Sequence, residues 1–249
     1  MILNPFNRPT TWTTPGGTVP SLYLDMIRQP HLLIAGATGS GKSVVINGII
    51  STIATTKTPA SARLVLIDPK RVELVQWERL PHTLWRAVDD STILSTLCRV
   101  EQTMMNRYAD MERRRLRQWD ADHIFVFVDE FADLMTTAKK TVTPVIIRLA
   151  QLGRAAGVHL ILATQRPTRD IITGQIKVNM DSRLALRVPT SQDSRNIINV
   201  SGAELLPRVG RGYYLTPETM QPQLWEIPAP KDDAEKLVTY WNTEGRRRA

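Results

Sequence analysis

The amino-acid sequence predicts an α/β fold with a mostly parallel central sheet flanked by helices. From His31 onward, short apolar runs of strand length alternate with helical patterns and are bounded by turn residues. Such alternation is typical of crossover units, in which parallel strands are covered on both faces. The chain of 249 residues is 42% hydrophobic and 22% charged, which is enough apolar material for a buried core.

The predicted strands are short apolar runs that end at polar or turn residues. In order along the chain, they lie at residues 31–35, 63–67, 124–128, 159–164, 184–188 and 212–215. Helical patterns predict helices over residues 42–55, 94–111 and 145–156. In the helix over 94–111, apolar residues recur every three or four positions, which predicts one buried stripe. This stripe consists of Leu94, Leu97, Val100, Met104, Tyr108 and Met111, and Cys98 is predicted to be a small core residue.

Both ends of the chain are predicted to lie outside the main domain. Residues 1–20 are rich in Pro, Thr and Gly, which favours an irregular N-terminal arm. Residues 21–243 are expected to form one domain, which suits a chain of this length. Residues 244–249 form a basic C-terminal tail that includes Arg246, Arg247 and Arg248.

Composition excludes several classes of site. One cysteine rules out a disulfide framework, and one thiol with four scattered histidines is not expected to form a Cys/His zinc site. The chain has no run of 18 apolar residues and no signal-like N-terminus, so we expect a cytoplasmic location without direct membrane insertion. The 32 Lys and Arg residues exceed the 24 Asp and Glu residues, and the net charge of +8 favours a polyanionic partner.

A glycine-rich pattern follows the first of these strands. Gly36, Ala37, Thr38, Gly39, Ser40, Gly41, Lys42 and Ser43 match G-x-x-x-x-G-K-[ST] between a strand and a helix. The backbone N–H groups of such a loop turn inward around phosphate oxygens, Lys42 reaches the outer phosphates, and Ser43 ligates Mg²⁺. The pattern therefore predicts a nucleotide-phosphate site, and an ordinary glycine-rich turn is the alternative.

Two carboxylates follow the buried strand predicted at 124–128. A phosphate-binding loop needs a second carboxylate on the magnesium side, and Asp129 is predicted to hold the water shell of the metal. Glu130 stands one residue further, where it is expected to orient or deprotonate an attacking water. Hydrolysis requires such a group, and the alternative is a pair of surface carboxylates at a strand end.

Three further positions stay open between a functional and a local role. Gln165 follows the strand at 159–164, where its amide either senses the outer phosphate or caps the strand end. Arg154 lies near the end of the third predicted helix, where it is either catalytic or a partner of the helix dipole. Residues 68–70 end the second strand at the edge where ligands usually bind, and an ion pair within the turn is the alternative.

Residues 154–211 form a basic segment. They carry nine basic and four acidic side chains, a net charge of +5. Basic side chains spread over loops neutralise phosphates without reading bases, although a solvated basic surface has the same composition. The nine basic residues are Arg154, Arg166, Arg169, Lys177, Arg183, Arg187, Arg195, Arg208 and Arg211.

Five segments, in order, resemble the motor domain of the FtsK/SpoIIIE DNA translocases, within the FtsK and HerA group of P-loop ATPases. They are PHLLIAGATGSGKSV (30–44), LIDPKRVEL (66–74), VFVDEFADLM (126–135), RLAQLGRAAGVHLILATQRP (148–167) and residues 171–205 with ITGQIKVN and DSRNIIN. The resemblance extends over roughly residues 21–243.

The resemblance implies a RecA-like fold that forms a hexameric ring, hydrolyses ATP with Mg²⁺ at subunit interfaces and pulls double-stranded DNA through its centre. Lys42 and Ser43 then bind nucleotide and magnesium, and Asp129 with Glu130 form the Walker B pair. Arg154 looks like an arginine finger that acts on the neighbouring subunit.

The resemblance also implies the DNA contacts. Arg166, Lys177 and Arg195 fall where the family has pore-facing contacts with DNA. Many relatives carry a basic residue before DSR, whereas this chain has Ser191 and Gln192 there.

Members of this family usually carry a membrane segment, a linker, an extra ring-forming domain and often a winged-helix DNA reader. Residues 1–249 match none of these, so we expect a compact motor of a plasmid, conjugative element or virus. Its expected partners are DNA, further copies of the chain, and a membrane-anchored or element-encoded protein.

The sequence also allows two alternative functions. Related rings in type VII secretion share the P-loop core, so a protein-secretion ATPase is one of them, although the basic loops and the DSR segment argue against it. The other is a module that binds DNA or a partner motor without hydrolysis, and Glu130 and Arg154 argue against it.

Overall fold

The structure, a computed structural model of the chain, describes residues 12–14, 17–19, 24–26, 28–227, 234–243 and 245. The strands are β1 (Trp12–Thr14), β2 (Gly17–Val19), β3 (His31–Ala35), β4 (Ala62–Ile67), β5 (Thr83–Ala87), β6 (His123–Val128), β7 (Val158–Thr164), β8 (Ser182–Ala185), β9 (Arg211–Leu215) and β10 (Gln223–Glu226). The α-helices are α1 (Lys42–Thr56), α2 (Asp90–Arg114), α3 (Phe131–Thr137), α4 (Lys139–Leu152), α5 (Gly174–Asn179), α6 (Ser191–Ile198) and α7 (Ala234–Thr243).

Eight strands form one sheet in the order β10-β9-β8-β3-β7-β6-β4-β5. The pairs β3/β8, β4/β5, β4/β6 and β6/β7 are parallel, and β9 pairs antiparallel with both β8 and β10. The predicted α/β class with a mostly parallel sheet is therefore confirmed. The antiparallel strands lie at one edge of the sheet, an arrangement common in mixed sheets.

Contacts divide the chain into two compact units. The first contains residues 1–53 and 163–232, and the second contains residues 54–162 and 233–249. In the first unit, β3 pairs with β8 from Leu32 opposite Ser182 to Ala35 opposite Ala185. In the second unit, β4 and β6 pair over all six positions of each strand. How far a single motor domain extends along the chain stays a prediction.

The long helix α2 carries the predicted stripe, with two of its six residues only half-buried. Leu97, Val100, Met104 and Met111 are buried, while Leu94 and Tyr108 are half-buried. The prediction for Cys98 was wrong, because this residue is exposed on the solvent side of α2. The helix also buries Arg107, which an apolar pattern does not detect.

Other elements differ from the predicted ones in extent. The helix predicted over 145–156 ends at Leu152, because residues 153–157 form a turn that closes at Gly157 with a φ of 66°. The strand predicted over 184–188 runs over Ser182–Ala185 instead. β5 was not predicted, since this edge strand is mostly half-buried and mixes polar with apolar residues.

The N-terminal arm is partly ordered rather than irregular. β1 and β2 pair antiparallel, with Trp12 opposite Val19. The other residues of the arm lie outside the described part of the chain, as does the tail 244–249 apart from Gly245. Within the described ranges, no helix combines the length and the apolar character needed to cross a bilayer.

In the second unit, α7 packs against a buried histidine. The Trp241 indole Nε1 donates to the carbonyl of Ala54 at 2.7 Å, and the Trp241 and His82 rings are nearly perpendicular, with centroids 4.8 Å apart. His82 is fully buried, and its Nε2 donates to the carbonyl of Lys57 at 2.8 Å. Burial lowers the pKa of His82, the hydrogen bond to Lys57 opposes that effect, and the charge of Arg63 lowers the pKa further.

We expect the second unit to lose stability as the pH falls through and below about 6.5, because the unfolded chain binds a proton on His82 near its ordinary pKa of about 6.5. The folded chain resists this protonation, so the free energy of unfolding decreases in this window. Denaturant unfolding at several pH values measures the slope, and His82→Gln should make it shallower. Identical slopes for the two proteins would contradict this role of His82.

Candidate functional site

The glycine-rich loop joins β3 to α1 in the first unit. Its start is anchored by two backbone hydrogen bonds, from Gly36 to the carbonyl of Thr164 at 3.2 Å and from Ala37 to the carbonyl of Arg187 at 2.8 Å. A Cβ at Gly36 would lie 2.5 Å from the Ser40 hydroxyl oxygen, so a side chain at this position would force the loop apart. The loop is thus held against the ends of neighbouring strands.

Two further glycines give the loop its curvature. Gly39 has a φ of 73° and Gly41 a φ of 97°. This left-handed region strains every residue with a Cβ, which is why glycine occurs at both positions. Successive N–H groups can then face the same concavity, which is the geometry that binds phosphate oxygens.

The loop leads directly into the first turn of α1. Lys42 is the first residue of the helix and is buried, and Ser43 follows it half-buried. The first turn contains no acidic residue, so the N–H groups and the positive end of the helix dipole are not neutralised there. These features favour an anion at the start of α1.

Two side chains of the first unit contact the loop. The Thr38 hydroxyl donates to the amide oxygen of Gln165 at 2.7 Å, so Gln165 lies beside the loop. The Arg208 guanidinium lies against Gly39, where an added Cβ would be 3.0 Å from its Nη2 atom. The sequence assigned Arg208 only to the basic segment, and no local pattern links it to the loop.

The carboxylate pair lies in the second unit, directly after β6. Asp129 and Glu130 are each 1% exposed, and the Asp129 N–H donates to the carbonyl of Ile67 at 3.0 Å. Glu130 occupies the position before the first residue of α3. Both side chains are therefore buried acids at the carboxyl end of a central strand, and they are not the surface carboxylates of the alternative interpretation.

Lys70 pairs with Glu130. Its Nζ donates to Glu130 Oε2 at 3.2 Å and lies 4.0 Å from Asp133. The turn that carries Lys70 is held by Asp68, whose Oδ2 accepts from the N–H of Leu74 at 3.1 Å. For residues 68–70, the sequence allows either a ligand position or an ion pair within the turn. The observed ion pair instead joins the ends of the neighbouring parallel strands β4 and β6.

Arg154 lies in the turn between α4 and β7 and is exposed. This turn precedes the amino end of β7, while Glu130 follows the carboxyl end of β6, which is parallel to β7. The six residues of β6 separate the two ends by about 20 Å. Arg154 therefore cannot contact Glu130 of its own chain.

Two of the three predicted DNA contacts lie together in the first unit. Lys177 and Arg195 line a shallow depression of about 320 Å³, which Arg169 and Gln192 also line. The Lys177 Nζ lies 3.4 Å from the carbonyl of Arg195, and burial lowers the pKa of Lys177, with smaller contributions from Arg183 and Arg169. This depression is a cluster of positive charge.

Other basic residues of the segment lie elsewhere. Arg166 is exposed just after β7 and does not line the depression. The Arg183 guanidinium donates to the carbonyls of Lys177 at 2.9 Å, Met180 at 3.0 Å and Ile197 at 3.3 Å. These hydrogen bonds stabilise the local backbone. Arg211 pairs with Glu226 at 3.1 Å. Only part of the basic segment is thus available to a partner.

Comparison with curated proteins finds close relatives along most of the chain. The chain is 41% identical over 239 residues to the DNA translocase FtsK of Lactococcus lactis subsp. cremoris (strain MG1363), which covers 87% of the chain and 31% of that protein. It is 38% identical over 263 residues to the DNA translocase FtsK of Mycobacterium leprae (strain TN), which covers 90% of the chain and 31% of that protein. The chain thus spans about a third of the length of these relatives.

Solved structures share the fold. The conjugation coupling protein TcpA of pCW3, in a monomer form with ATPγS, superimposes with a TM-score of 0.78 at 24% identity, covering 92% of this chain and 69% of that one. The cytoplasmic domain of the type VII secretion ATPase EccC of Thermomonospora curvata gives a TM-score of 0.77 at 24% identity, covering 93% of this chain and 30% of that one.

A family model settles the classification that the five sequence segments suggested. The model of the FtsK/SpoIIIE family matches residues 15–123 and 118–169, which together are more than half of the chain. On this match, the chain belongs to the FtsK/SpoIIIE family.

Proposed function

We propose that the chain is an ATP-driven motor that moves double-stranded DNA through a ring of identical subunits, six by analogy with the family. The observation that carries the hydrolytic part is the buried acid Glu130 beside Asp129 at the carboxyl end of β6. The DNA part is supported by relatives named DNA translocases and by the positive depression around Lys177 and Arg195.

The phosphate loop fits a nucleotide. In this proposal, the backbone from Gly36 to Gly41 surrounds the phosphates, Lys42 neutralises the outer ones, and Ser43 with Asp129 holds Mg²⁺. The fit rests on the left-handed glycines and on the first turn of α1, which contains no acid. Bound Mg²⁺ would neutralise charge on the phosphate oxygens. In the same proposal, Gln165, whose amide oxygen accepts from the Thr38 hydroxyl, senses the outer phosphate.

Glu130 acts on the water. A carboxylate at this position accepts a proton from the attacking water or orients it, a task that a phosphate-binding residue cannot perform. The ion pair with Lys70 at 3.2 Å fixes the direction of the Glu130 carboxylate and offsets part of the cost of burying its charge. Lys70 therefore belongs to the machinery of this proposed site.

Arg154 completes the site of a neighbouring subunit. Within one chain it lies about 20 Å from Glu130, at the other end of the parallel strands. It is exposed and so available to a second copy of the chain. An arginine of this kind stabilises the charge that develops on the transferred phosphoryl group. This geometry supports catalysis between subunits and hence a ring.

We extend the proposal to a motor of a plasmid, conjugative element or virus that works in the cytoplasm with a membrane-anchored or element-encoded partner. Similarity to the coupling protein TcpA of pCW3 supports a conjugative element. The similarity to EccC favours a second candidate, a secretion ATPase that moves protein. Stimulation of the ATPase by long duplex DNA is expected only from the DNA motor and distinguishes the two.

Glu130→Gln should retain nucleotide binding but lose turnover, because its amide cannot take a proton from water. Steady-state ATPase rates and the affinity for a fluorescent ATP analogue measure the two effects separately. Lys42→Ala is the matched control, since it should weaken nucleotide binding itself. Turnover by Glu130→Gln near the wild-type rate would remove Glu130 from the mechanism.

Arg154→Ala should bind ATP normally and hydrolyse it slowly, by roughly a thousandfold if the finger has its usual effect. Mixing Arg154→Ala with Glu130→Gln chains should restore activity, because the first keeps an intact Glu130 and the second donates an intact Arg154. ATPase rates across mixing ratios, with mass measurement of the assembly, test this. An inactive mixture of chains that still assemble together would exclude action between subunits.

Replacing Arg166, Lys177 and Arg195 with Ala should abolish stimulation of the ATPase by DNA and make the salt dependence of DNA binding shallower. Each phosphate neutralised contributes a log-log slope of about 0.9, so fewer contacts give a smaller slope. Affinity should hardly change with DNA sequence, because phosphate contacts carry no base information. Binding isotherms at several salt concentrations measure the slope.

Removal of residues 246–248 is the control for nonspecific charge in this experiment. The basic tail should contribute little, whereas a general basic surface would respond to its removal as strongly as to the triple substitution. The assignment fails if the truncated chain loses DNA binding while the triple variant keeps both its slope and its stimulation.

A further inference from the structure

Side chains from α2 hold the turn that carries Arg154. Arg107 is 5% exposed, and its Nη1 donates to the carbonyl of Ala156 at 2.8 Å and lies 3.4 Å from that of Gly157. Its other terminal nitrogen, Nη2, pairs with Asp122 at 2.8 Å. One buried guanidinium thus links the end of this turn to the residue preceding β6.

The neighbouring residue on α2 holds the other side of the turn. The Tyr108 hydroxyl donates to the carbonyl of Leu152 at 2.7 Å, two residues before Arg154. The backbone N–H of Trp119 donates to the carbonyl of Ala155 at 2.8 Å, and the centre of the Trp119 ring lies 4.9 Å from the Arg107 guanidinium carbon. Donors from Arg107, Tyr108 and Trp119 therefore bind backbone carbonyls on both sides of Arg154.

The turn is also tightly closed. The Val158 N–H donates to the carbonyl of Gly153 at 2.9 Å. Gly157 has a φ of 66°, and an added Cβ there would lie 3.3 Å from Trp119 and 3.4 Å from Arg107. The backbone on either side of Arg154 thus has little freedom, while the Arg154 side chain is exposed.

A turn between a helix and a strand does not require a buried cation. Burial lowers the pKa of Arg107, and Asp122 opposes that effect, so its charge is held at a cost in solvation. Such a cost is expected where a group must hold a functional backbone, because a misplacement of about 1 Å in a catalytic group costs roughly a hundredfold in rate.

We propose that Arg107 and Tyr108 are positioning residues for Arg154, which hold its turn in the geometry that reaches the nucleotide of the adjacent subunit. This inference rests on the proposed role of Arg154 between subunits. It predicts that substitution of Arg107 or Tyr108 slows ATP turnover at the site of the neighbouring subunit, although both residues lie outside the proposed nucleotide site of their own chain.

The first test uses Arg107→Lys and Tyr108→Phe. Arg107→Lys keeps the charge but loses the two-nitrogen fork, and Tyr108→Phe removes a single hydroxyl from a half-buried residue. We expect kcat to fall about tenfold in Arg107→Lys and severalfold in Tyr108→Phe, with KM for ATP and nucleotide affinity unchanged. Arg99→Lys, on the same helix but against Trp85, is the matched control and should leave kcat unchanged.

The decisive test mixes chains with separate defects. Glu130→Gln chains supply only Arg154, and Arg154→Ala chains supply only the hydrolytic site. Adding Tyr108→Phe or Arg107→Lys to the Glu130→Gln chain should lower the restored ATPase rate, whereas adding it to the Arg154→Ala chain should not.

Each result has a distinct meaning. An equal loss from both placements, or a change in thermal unfolding midpoint without a change in kcat, would overturn the positioning role and leave Arg107 and Tyr108 as structural residues only. If the parent mixture of Arg154→Ala and Glu130→Gln chains is inactive, the proposed role of Arg154 itself fails, and that outcome is separate from the failure of the positioning residues.

Discussion

The parallel pairing of β4, β6 and β7 determines which polar groups of the second unit can meet. Parallel strands bring their carboxyl ends to one edge of the sheet, so Lys70 after β4 and Glu130 after β6 form an ion pair. Residues that precede the strands lie at the amino ends, on the opposite side of the sheet from Glu130, and the turn with Arg154 lies there because it precedes β7. Glu130 and Arg154 are thus separated within each chain, so the catalysis between subunits that we propose would require the association of chains.

The local motifs of the chain were accessible from sequence because they depend on short-range backbone chemistry. The glycines at 39 and 41 and the lysine at 42 specify a loop and a helix start without distant information. The apolar runs of β3, β4, β6 and β7 were equally clear, since buried parallel strands are almost continuously apolar. β5 escaped detection because an edge strand has fewer buried positions.

Long-range polar contacts were not accessible in the same way. The ion pair of Lys70 with Glu130 joins residues 60 positions apart, and Arg107 contacts carbonyls 49 and 50 positions away. No periodicity indicates such residues, and an arginine in a helical apolar pattern looks like an interruption of the buried stripe. The charge of the basic segment was similarly ambiguous, because Arg183 and Arg211 are engaged within the fold while Lys177 and Arg195 line a depression.

The exposed thiol of Cys98 makes the chain well suited to optical measurements. It is the only cysteine in the sequence, and it lies on the solvent side of a 25-residue helix that also carries Arg107 and Tyr108. A maleimide dye would therefore attach at one defined position without any prior cysteine removal. In the proposed assembly, energy transfer between dyes on different copies would report distances between subunits during turnover, and dye-labelled DNA would provide the reference point for the movement of DNA.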